Sequence, residues 1–285
     1  MLQRKVSRRE FVKLMAQWTV GASLTGMGGY EYVKRIEPGW IDASSVSLAL
    51  PRMPRAFDGY RLAQFSDIHM GGWMDRQRLA DVVRTVNSLK PDLVAITGDF
   101  VTRHPEQSAD DLVAGLKPLS APDGVVAVLG NHDYSSHPSI IRQVLKESGI
   151  IDLSNGVHTL RRGRALFHVA GVDDVWHERA RLDQVLEELP AEGGAMLLAH
   201  EPDFADVSAA TGRFDLQISG HSHGGQVIVP FVGPLRLPHL GRKYPLGLYR
   251  VEQMLQYTNR GVGMVNPYVR FNCRPEVTLF TLRAA

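Results

Sequence analysis

Gly124-Val125-Val126-Ala127-Val128-Leu129-Gly130-Asn131-His132-Asp133 is an apolar run of strand length that stops at a glycine and then presents an amide, an imidazole and a carboxylate. A core strand usually ends in residues chosen for turn geometry, so an end carrying three lone-pair donors reads as built to hold something. Four other short runs finish the same way. Leu62 to Ser66 leads into Asp67-Ile68-His69, Leu93 to Thr97 into Gly98-Asp99, Ala195 to Ala199 into His200, and Leu216 to Ser219 into Gly220-His221-Ser222-His223. In an open α/β sheet, ligands bind in the crevice beyond the carboxyl ends of the strands. The five ends are therefore expected to meet.

Between these strands the apolar spacing turns helical. Leu79, Val82, Val83, Val86 and Leu89 share one face over Asp75 to Leu89, and Pro91 stops the helix. Further helices are expected at Ala109 to Leu116, Ser139 to Ser148, Leu182 to Leu189 and Asp203 to Ala210. Alternating strand and helix argues for parallel pairing with helices on the faces. Val46 to Leu50 and Tyr60 to Ser66 flank the turn-like Pro51 to Gly59 and are expected to pair with each other. Gly156 to Leu160 and Ala165 to Val172 read as a hairpin. Leu248 to Val251, Met254 to Thr258 and Val277 to Leu282 read as an antiparallel close. The expected fold is α/β, a four-layered αββα sandwich of two mixed sheets flanked by helices, without internal repeats.

A length of 285 residues with 44% hydrophobic side chains supports a substantial core, here assigned to one catalytic domain over residues 46–285. The net charge of +2 is dispersed without a basic stripe, which excludes nucleic acid as an expected partner. The single cysteine, Cys273, rules out an intramolecular disulfide and a thiolate metal cage, and is expected in the core.

Residues 1–45 read separately, as a signal or membrane anchor and linker. Ser7-Arg8-Arg9-Glu10-Phe11-Val12-Lys13 resembles a twin-arginine export signal, and Leu14 to Tyr30 follows without a charge. Gln17, Thr19, Ser23, Thr25 and several glycines make that tract weaker than a spanning helix of about 20 apolar residues. No clear small-x-small cleavage site follows, so the tract is expected to serve as an anchor if it is retained, and Glu37-Pro38-Gly39-Trp40 marks the boundary. The expectation is export through the twin-arginine machinery to the periplasm or the outer face of the cytoplasmic membrane, in contact with the membrane surface, with no obligate protein partner. A basic amphipathic helix on an inner membrane face, or a frayed terminus of a cytosolic enzyme, is the alternative.

The strand-end residues form an oxygen and nitrogen donor set. Asp67 and His69 are one residue apart, so on an extended segment both point the same way and one metal can take both. Gly98 lets backbone and ion come close to Asp99, whose carboxylate has two oxygens and can bridge two cations. Asn131 offers an amide oxygen; His200, His221 and His223 offer imidazole nitrogens. Such donors suit manganese first, with zinc or iron as alternatives. Two divalent ions, two carboxylates and a bridging hydroxide leave net positive charge, which suits an anionic phosphate ester. A bridging water loses a proton near neutral pH and stands ready for in-line attack on phosphorus. His132, beside a ligand and not needed as one, is assigned to the leaving-group oxygen.

Asp67-x-His69, Gly98-Asp99, Gly130-Asn131-His132-Asp133, His200 and Gly220-His221-x-His223 together resemble, in order, the five blocks of the calcineurin-like metallophosphoesterase superfamily. The resemblance implies that Asp67, His69, Asp99 and His223 hold one metal, and Asp99, Asn131, His200 and His221 the other. Within the superfamily, His223-Gly224-Gly225-Gln226, Gly241-Arg242-Lys243-Tyr244, Asn259-Arg260-Gly261-Val262-Gly263 and the twin-arginine-like start resemble the exported phosphodiesterase branch, itself similar to UDP-2,3-diacylglucosamine pyrophosphatase of lipid A synthesis. Phosphoprotein phosphatases carry an Asp soon after the Gly-Asp block to orient the catalytic histidine; Phe100-Val101-Thr102-Arg103 has none, which argues against that role and leaves Asp133 as the expected orienter.

The leading expectation is a binuclear phosphodiesterase acting on a small or lipid-linked phosphodiester. Its rivals are the UDP-2,3-diacylglucosamine pyrophosphatase and a non-enzymatic metal-containing scaffold for phosphorylated ligands. Arg242, Lys243 and Tyr244 are candidates for a phosphate or head group, with a solvated loop as the alternative. Trp73 and Met74 are candidates for the mouth of the site, against core packing. Asp173-Asp174 reads as turn acids or a supporting carboxylate pair, and His104, His137, His168 and His177 as structural.

Overall fold

The computed structural model describes residues 26–285. The export motif and the tract as far as Thr25 lie outside the described residues. A first sheet contains β1 (Asp42–Leu50), β2 (Tyr60–Phe65), β3 (Leu93–Thr97), β4 (Val125–Val128) and the short β5 (Ile151–Asp152). A second contains β6 (Gly156–Arg162), β7 (Ala165–Gly171), β8 (Gly194–Leu198) and β9 (Leu216–Ser219). After a small hairpin, β10 (Ile228–Val229) and β11 (Gly233–Pro234), that sheet gains β12 (Gly247–Val251) and β13 (Met254–Thr258). The last strand, β14 (Glu276–Ala284), returns to the first sheet. The orders are β1-β14-β2-β3-β4-β5 and β12-β13-β9-β8-β7-β6.

Strand alternation builds the layers. In β4, Val125 and Ala127 join the packing beneath the helices, while Val126 and Val128 face the other sheet. Leu62, Phe167, Val169, Leu198, Ile218 and Phe280 complete the intersheet core. Helices Arg76–Ser88, Pro105–Leu116 and Pro138–Glu147 cover the first sheet through Leu79, Val86, Leu112, Ile141 and Leu145. Leu182–Glu188 and Ala205–Ala210 cover the second through Val185, Ala205 and Ala209. Each large apolar side chain so buried stabilises by about 1.5–3 kcal/mol over exposure. The result is the four-layered αββα sandwich that the sequence predicts.

Local signals explain the helix ends. Asp75 accepts the Arg78 backbone N–H at 2.9 Å and caps its helix. The helix expected from Ala109 starts at Pro105, because proline presets the first helical turn before the apolar period begins. The helix expected over Asp203 to Ala210 is divided, with a 3-10 turn at Pro202–Phe204 before Ala205–Ala210.

Two expected pairings are corrected. β1 does not pair with β2: β14 lies between them, parallel to β1 and antiparallel to β2. The Pro51 to Gly59 connection spans that extra strand, a reach of two spacings of about 4.8 Å each. The close is not one antiparallel unit either. β12 and β13 pair antiparallel, β13 lies parallel to β9, and β14 belongs to the opposite sheet.

β1 starts at Asp42, ahead of Val46, and residues 26–39 are helical. Glu37 is buried and accepts the Cys273 N–H at 2.6 Å, and the Arg270 N–H donates to Val33 O at 2.8 Å, so this segment docks on the body. Among the described residues, no helix is long and apolar enough to cross a membrane.

Candidate metal centre

β2, β3, β4, β8 and β9 run parallel within their sheets and end at one edge of the sandwich. Asp67, His69, Asp99, His200, His221 and His223 are all buried there, with Asn131 half-buried. Asp67, His69 and His223 form one tight group, and Asp67, Asp99 and His200 another. His69 Nε2 lies 3.1 Å from His223 Nε2, and His223 Nε2 lies 3.3 Å from Asp67 Oδ1. Asp99 Oδ2 sits between two rings, 3.5 Å from His69 Nε2 and 3.3 Å from His200 Nε2.

The backbone reaches this arrangement by a route the extended-segment argument did not supply. Asp67 (φ 54°) and His69 (φ 50°) are left-handed, as are Asp99 (φ 57°), His221 (φ 69°) and His223 (φ 52°). Non-glycine residues there cost about 1–3 kcal/mol each and cluster at functional sites. Each strand turns sharply as it leaves the sheet and so swings its donor over the strand ends. Small neighbours make room. A Cβ at Gly98 would lie 2.6 Å from His200 Nδ1, and one at Gly220 would lie 2.5 Å from Asp67 Oδ2.

Hydrogen bonds fix which ring nitrogen faces inward. His200 Nδ1–H donates to Thr97 O at 2.6 Å, and His221 Nε2–H donates to His239 O at 2.7 Å. His69 Nδ1 meets Thr102 Oγ1 at 3.1 Å. Such outer partners set the tautomer of a ligating imidazole. His200 Nε2 and His223 Nδ1 are buried without a hydrogen-bond partner. His200 Nε2 faces Asp99 Oδ2 at 3.3 Å and His223 turns its other nitrogen, Nε2, to Asp67 Oδ1 at 3.3 Å, so imidazole nitrogens and carboxylate oxygens converge as a donor set that fits divalent cations.

The electrostatics agree. Burial lowers the pKa of His69 and of His221 to about 3, keeping both neutral. Burial also pulls His200 down, but Asp99 outweighs it and holds that ring well above the usual imidazole range. Asp67 is pushed up to about 6 by burial, with repulsion from Asp99 adding to it against the pull of His200. Two carboxylates that repel each other and draw a proton onto the His200 ring are what a bound cation would relieve, while His69 and His221 stand neutral as ligands.

The profile of the calcineurin-like phosphoesterase family matches residues 60–225, a span that contains every one of these donors. The chain belongs to that family. The phosphoesterase is similar to the metallophosphoesterase YkuE of Bacillus subtilis strain 168, 34% identical over 285 residues and 99% of both chains. It is similar to phosphodiesterase YaeI of Escherichia coli K12, 30% identical over 281 residues, 97% of this chain and 99% of that one. It is also similar to the UDP-2,3-diacylglucosamine pyrophosphatase LpxG of Chlamydia trachomatis serovar D, 25% identical over 309 residues, 87% of this chain and 91% of that one. The phosphoesterase is thus a metal-dependent phosphoric ester hydrolase.

His132 stands beside the donors, its ring edge-on to His69 with centroids 4.9 Å apart. Asp133 does not orient it. That carboxylate accepts the backbone N–H groups of Gly130, Asp99, Phe100 and Val101, and so ties the β3 and β4 ends together. The orienter is Thr102, whose carbonyl receives His132 Nδ1–H at 3.2 Å. Sequence reasoning sought an acid in Phe100 to Arg103 and passed over this backbone oxygen.

A cleft of about 630 Å³ opens from the donors, lined by Trp176, Leu235, Leu237, Val265 and Pro267 on its outer side. Arg242 lines it. Lys243 and Tyr244 turn away: both bind Asp206, the lysine at 2.7 Å and the tyrosine hydroxyl at 2.8 Å. Met74 is core and Trp73 packs against that core, so neither reaches the mouth. Trp176, unmarked in sequence, sits 5.7 Å from the His221 ring, centroid to centroid. Glu201 was also missed, although an acid directly after His200 was a visible signal. It is buried, grouped with His200 and His221, and burial and Asp174 push its carboxyl well above the usual range against His200. Asp174 in turn accepts His177 Nδ1–H at 2.6 Å, while Asp173 accepts the Tyr134 hydroxyl at 2.5 Å. Cys273 is buried below the ligand loop, its thiol donating to His223 O at 3.2 Å.

Proposed function

We propose that this phosphoesterase is a phosphodiesterase working with two divalent cations, manganese first and zinc or iron as alternatives. The carrying observation is Asp99 Oδ2, one carboxylate oxygen within 3.5 Å of a ring nitrogen from each donor group. Asp67, His69, Asp99 and His223 would hold one ion, and Asp99, Asn131, His200 and His221 the other. When bound, the pair supplies Lewis acidity that neutralises phosphoryl charge and makes a water nucleophilic near neutral pH. The remaining roles fall to the chain. With Nδ1–H held by Thr102 O, His132 keeps Nε2 for the leaving-group oxygen, donating from its protonated form. Arg242 supplies a guanidinium on the cleft wall for a phosphate or head group.

The cleft far exceeds a phosphate, and its apolar outer wall suits a diester with a sizeable organic group, small or lipid-linked. The same wall and the similarity to LpxG favour a second reading, cleavage of a UDP-linked diacylglucosamine. The twin-arginine-like motif supports export to the outer face of the cytoplasmic membrane, where a nucleotide sugar made in the cytosol is out of reach. Protease treatment of spheroplasts decides: digestion from outside supports the exported phosphodiesterase, and full protection favours the second reading. Metal analysis with turnover of bis(p-nitrophenyl) phosphate tests the chemistry. About two metal equivalents and activity lost on chelation are expected; full activity at one equivalent would overturn the paired-ion reading.

A further inference from the structure

The rim of the cleft carries an apolar projection that the chemistry does not use. The hairpin β10–β11 turns through Pro230-Phe231-Val232; Phe231 is 110% exposed and Val232 73%. Phe231 takes a left-handed backbone (φ 66°) that glycine or asparagine would adopt more cheaply. Leu235, beyond the turn, is also exposed. Clustered exposed apolar side chains of this size mark a docking surface.

The hairpin joins two features. On one side Val227, Leu235 and Arg236 line the cleft together with Asp99 and His132. On the other side Pro230 lines a groove with Tyr32, Glu37, Trp40 and Phe271, so the helical segment meets the turn at Tyr32 and Glu37. Trp40, Ile36, Tyr30 and Met27 are exposed on that segment. In sequence, the segment continues backwards into the uncharged Leu14 to Thr25.

Charge names the occupant. From Leu216 to Val251 the chain has no Asp or Glu, and Arg236 and Arg242, both exposed, line the cleft beside the projection, while Lys243 is taken up by Asp206. Aromatic and aliphatic tips flanked by cations match an anionic bilayer surface. We infer that the Val229 to Gly233 turn inserts into an anionic lipid bilayer and seats the mouth of the cleft against it. The docking stands on the surface alone; delivery of a lipid-phase phosphodiester to the centre rests on the phosphodiesterase reading.

The test uses the full chain and vesicles of phosphatidylglycerol or of phosphatidylcholine. The F231S/V232S pair should lower sedimentation with phosphatidylglycerol vesicles by about tenfold or more, leaving turnover of a soluble aryl diester unchanged. In a second measurement, F231C is labelled with a polarity-sensitive dye; the chain's own Cys273 is buried and stays unlabelled. The emission should shift to the blue on adding phosphatidylglycerol vesicles. An unshifted emission with equal sedimentation of the pair would overturn the docking. So would a dimer that the pair converts to monomer without altering vesicle binding, since a second copy would then cover the patch. Failure of the phosphodiesterase reading reads out elsewhere, as absent aryl diester turnover by metal-loaded wild type whose vesicle binding is intact.

Discussion

On its inner wall the cleft presents side chains that leave directly from the ends of β2, β3, β4, β8 and β9, whereas its outer wall, around Val227, Leu235 to Pro238 and Val265 to Val269, is mostly irregular chain. The inner donors are buried and their ring nitrogens are assigned by carbonyl or hydroxyl partners. The outer residues are largely apolar and part-exposed, and the Val265 to Val269 stretch is held through its backbone by the Gln226 side chain. Rigid strand ends suit chemistry that tolerates little displacement, and variable loops suit the choice of what is brought to it.

That contrast breaks first, if it breaks, at Asp99. D99A should lower aryl diester turnover by about 10³-fold or more, because it removes the oxygen that lies between His69 of one donor group and His200 of the other; a loss below tenfold would place the chemistry elsewhere. H132N should cost about 10²–10⁴-fold with an alkyl leaving group and much less with p-nitrophenolate, which needs no proton. Equal losses on both substrates would give His132 a different task. D133A should leave four backbone N–H groups without their acceptor. Each buried orphan costs about 1–3 kcal/mol unless water reaches it, so thermal unfolding should fall by many degrees; an unchanged midpoint would show the β3 and β4 ends to be held by other means. The smallest effect belongs to the outer wall. W176A should raise KM a few-fold for diesters with a bulky apolar group and leave kcat near wild type, and a kcat loss instead would draw Trp176 into the inner wall.

Much of the inner wall was legible because chemistry-bearing residues stood where apolar runs stopped. Gly98-Asp99 and Gly130-Asn131 name their positions in the sequence, and the parallel strands bring them together. Their local geometry was not legible. Alternation along a strand predicts that Asp67 and His69 share a face, but both are left-handed, a state set by the tight turn into the loop and invisible in residue type. Thr102 escaped notice for a related reason, since its carbonyl is a property of backbone course. Of the outer wall, Arg242 was foreseen and Lys243 and Tyr244 were not separated from it, because only the fold shows that Asp206 takes both. The β1 and β2 pairing failed on non-local grounds: nothing near Pro51 to Gly59 announces a strand arriving from residue 276.

The late strand has a consequence for how the molecule comes into being. β1 is tied to its sheet through β14, whose register runs from Asp42 opposite Glu276 to Leu50 opposite Ala284. A nascent chain that has not yet threaded those residues leaves β2 with an open flank, and contacts so distant in sequence form slowly. Hydrolytic competence should therefore emerge only once residues 276–284 have left the ribosome and closed that flank.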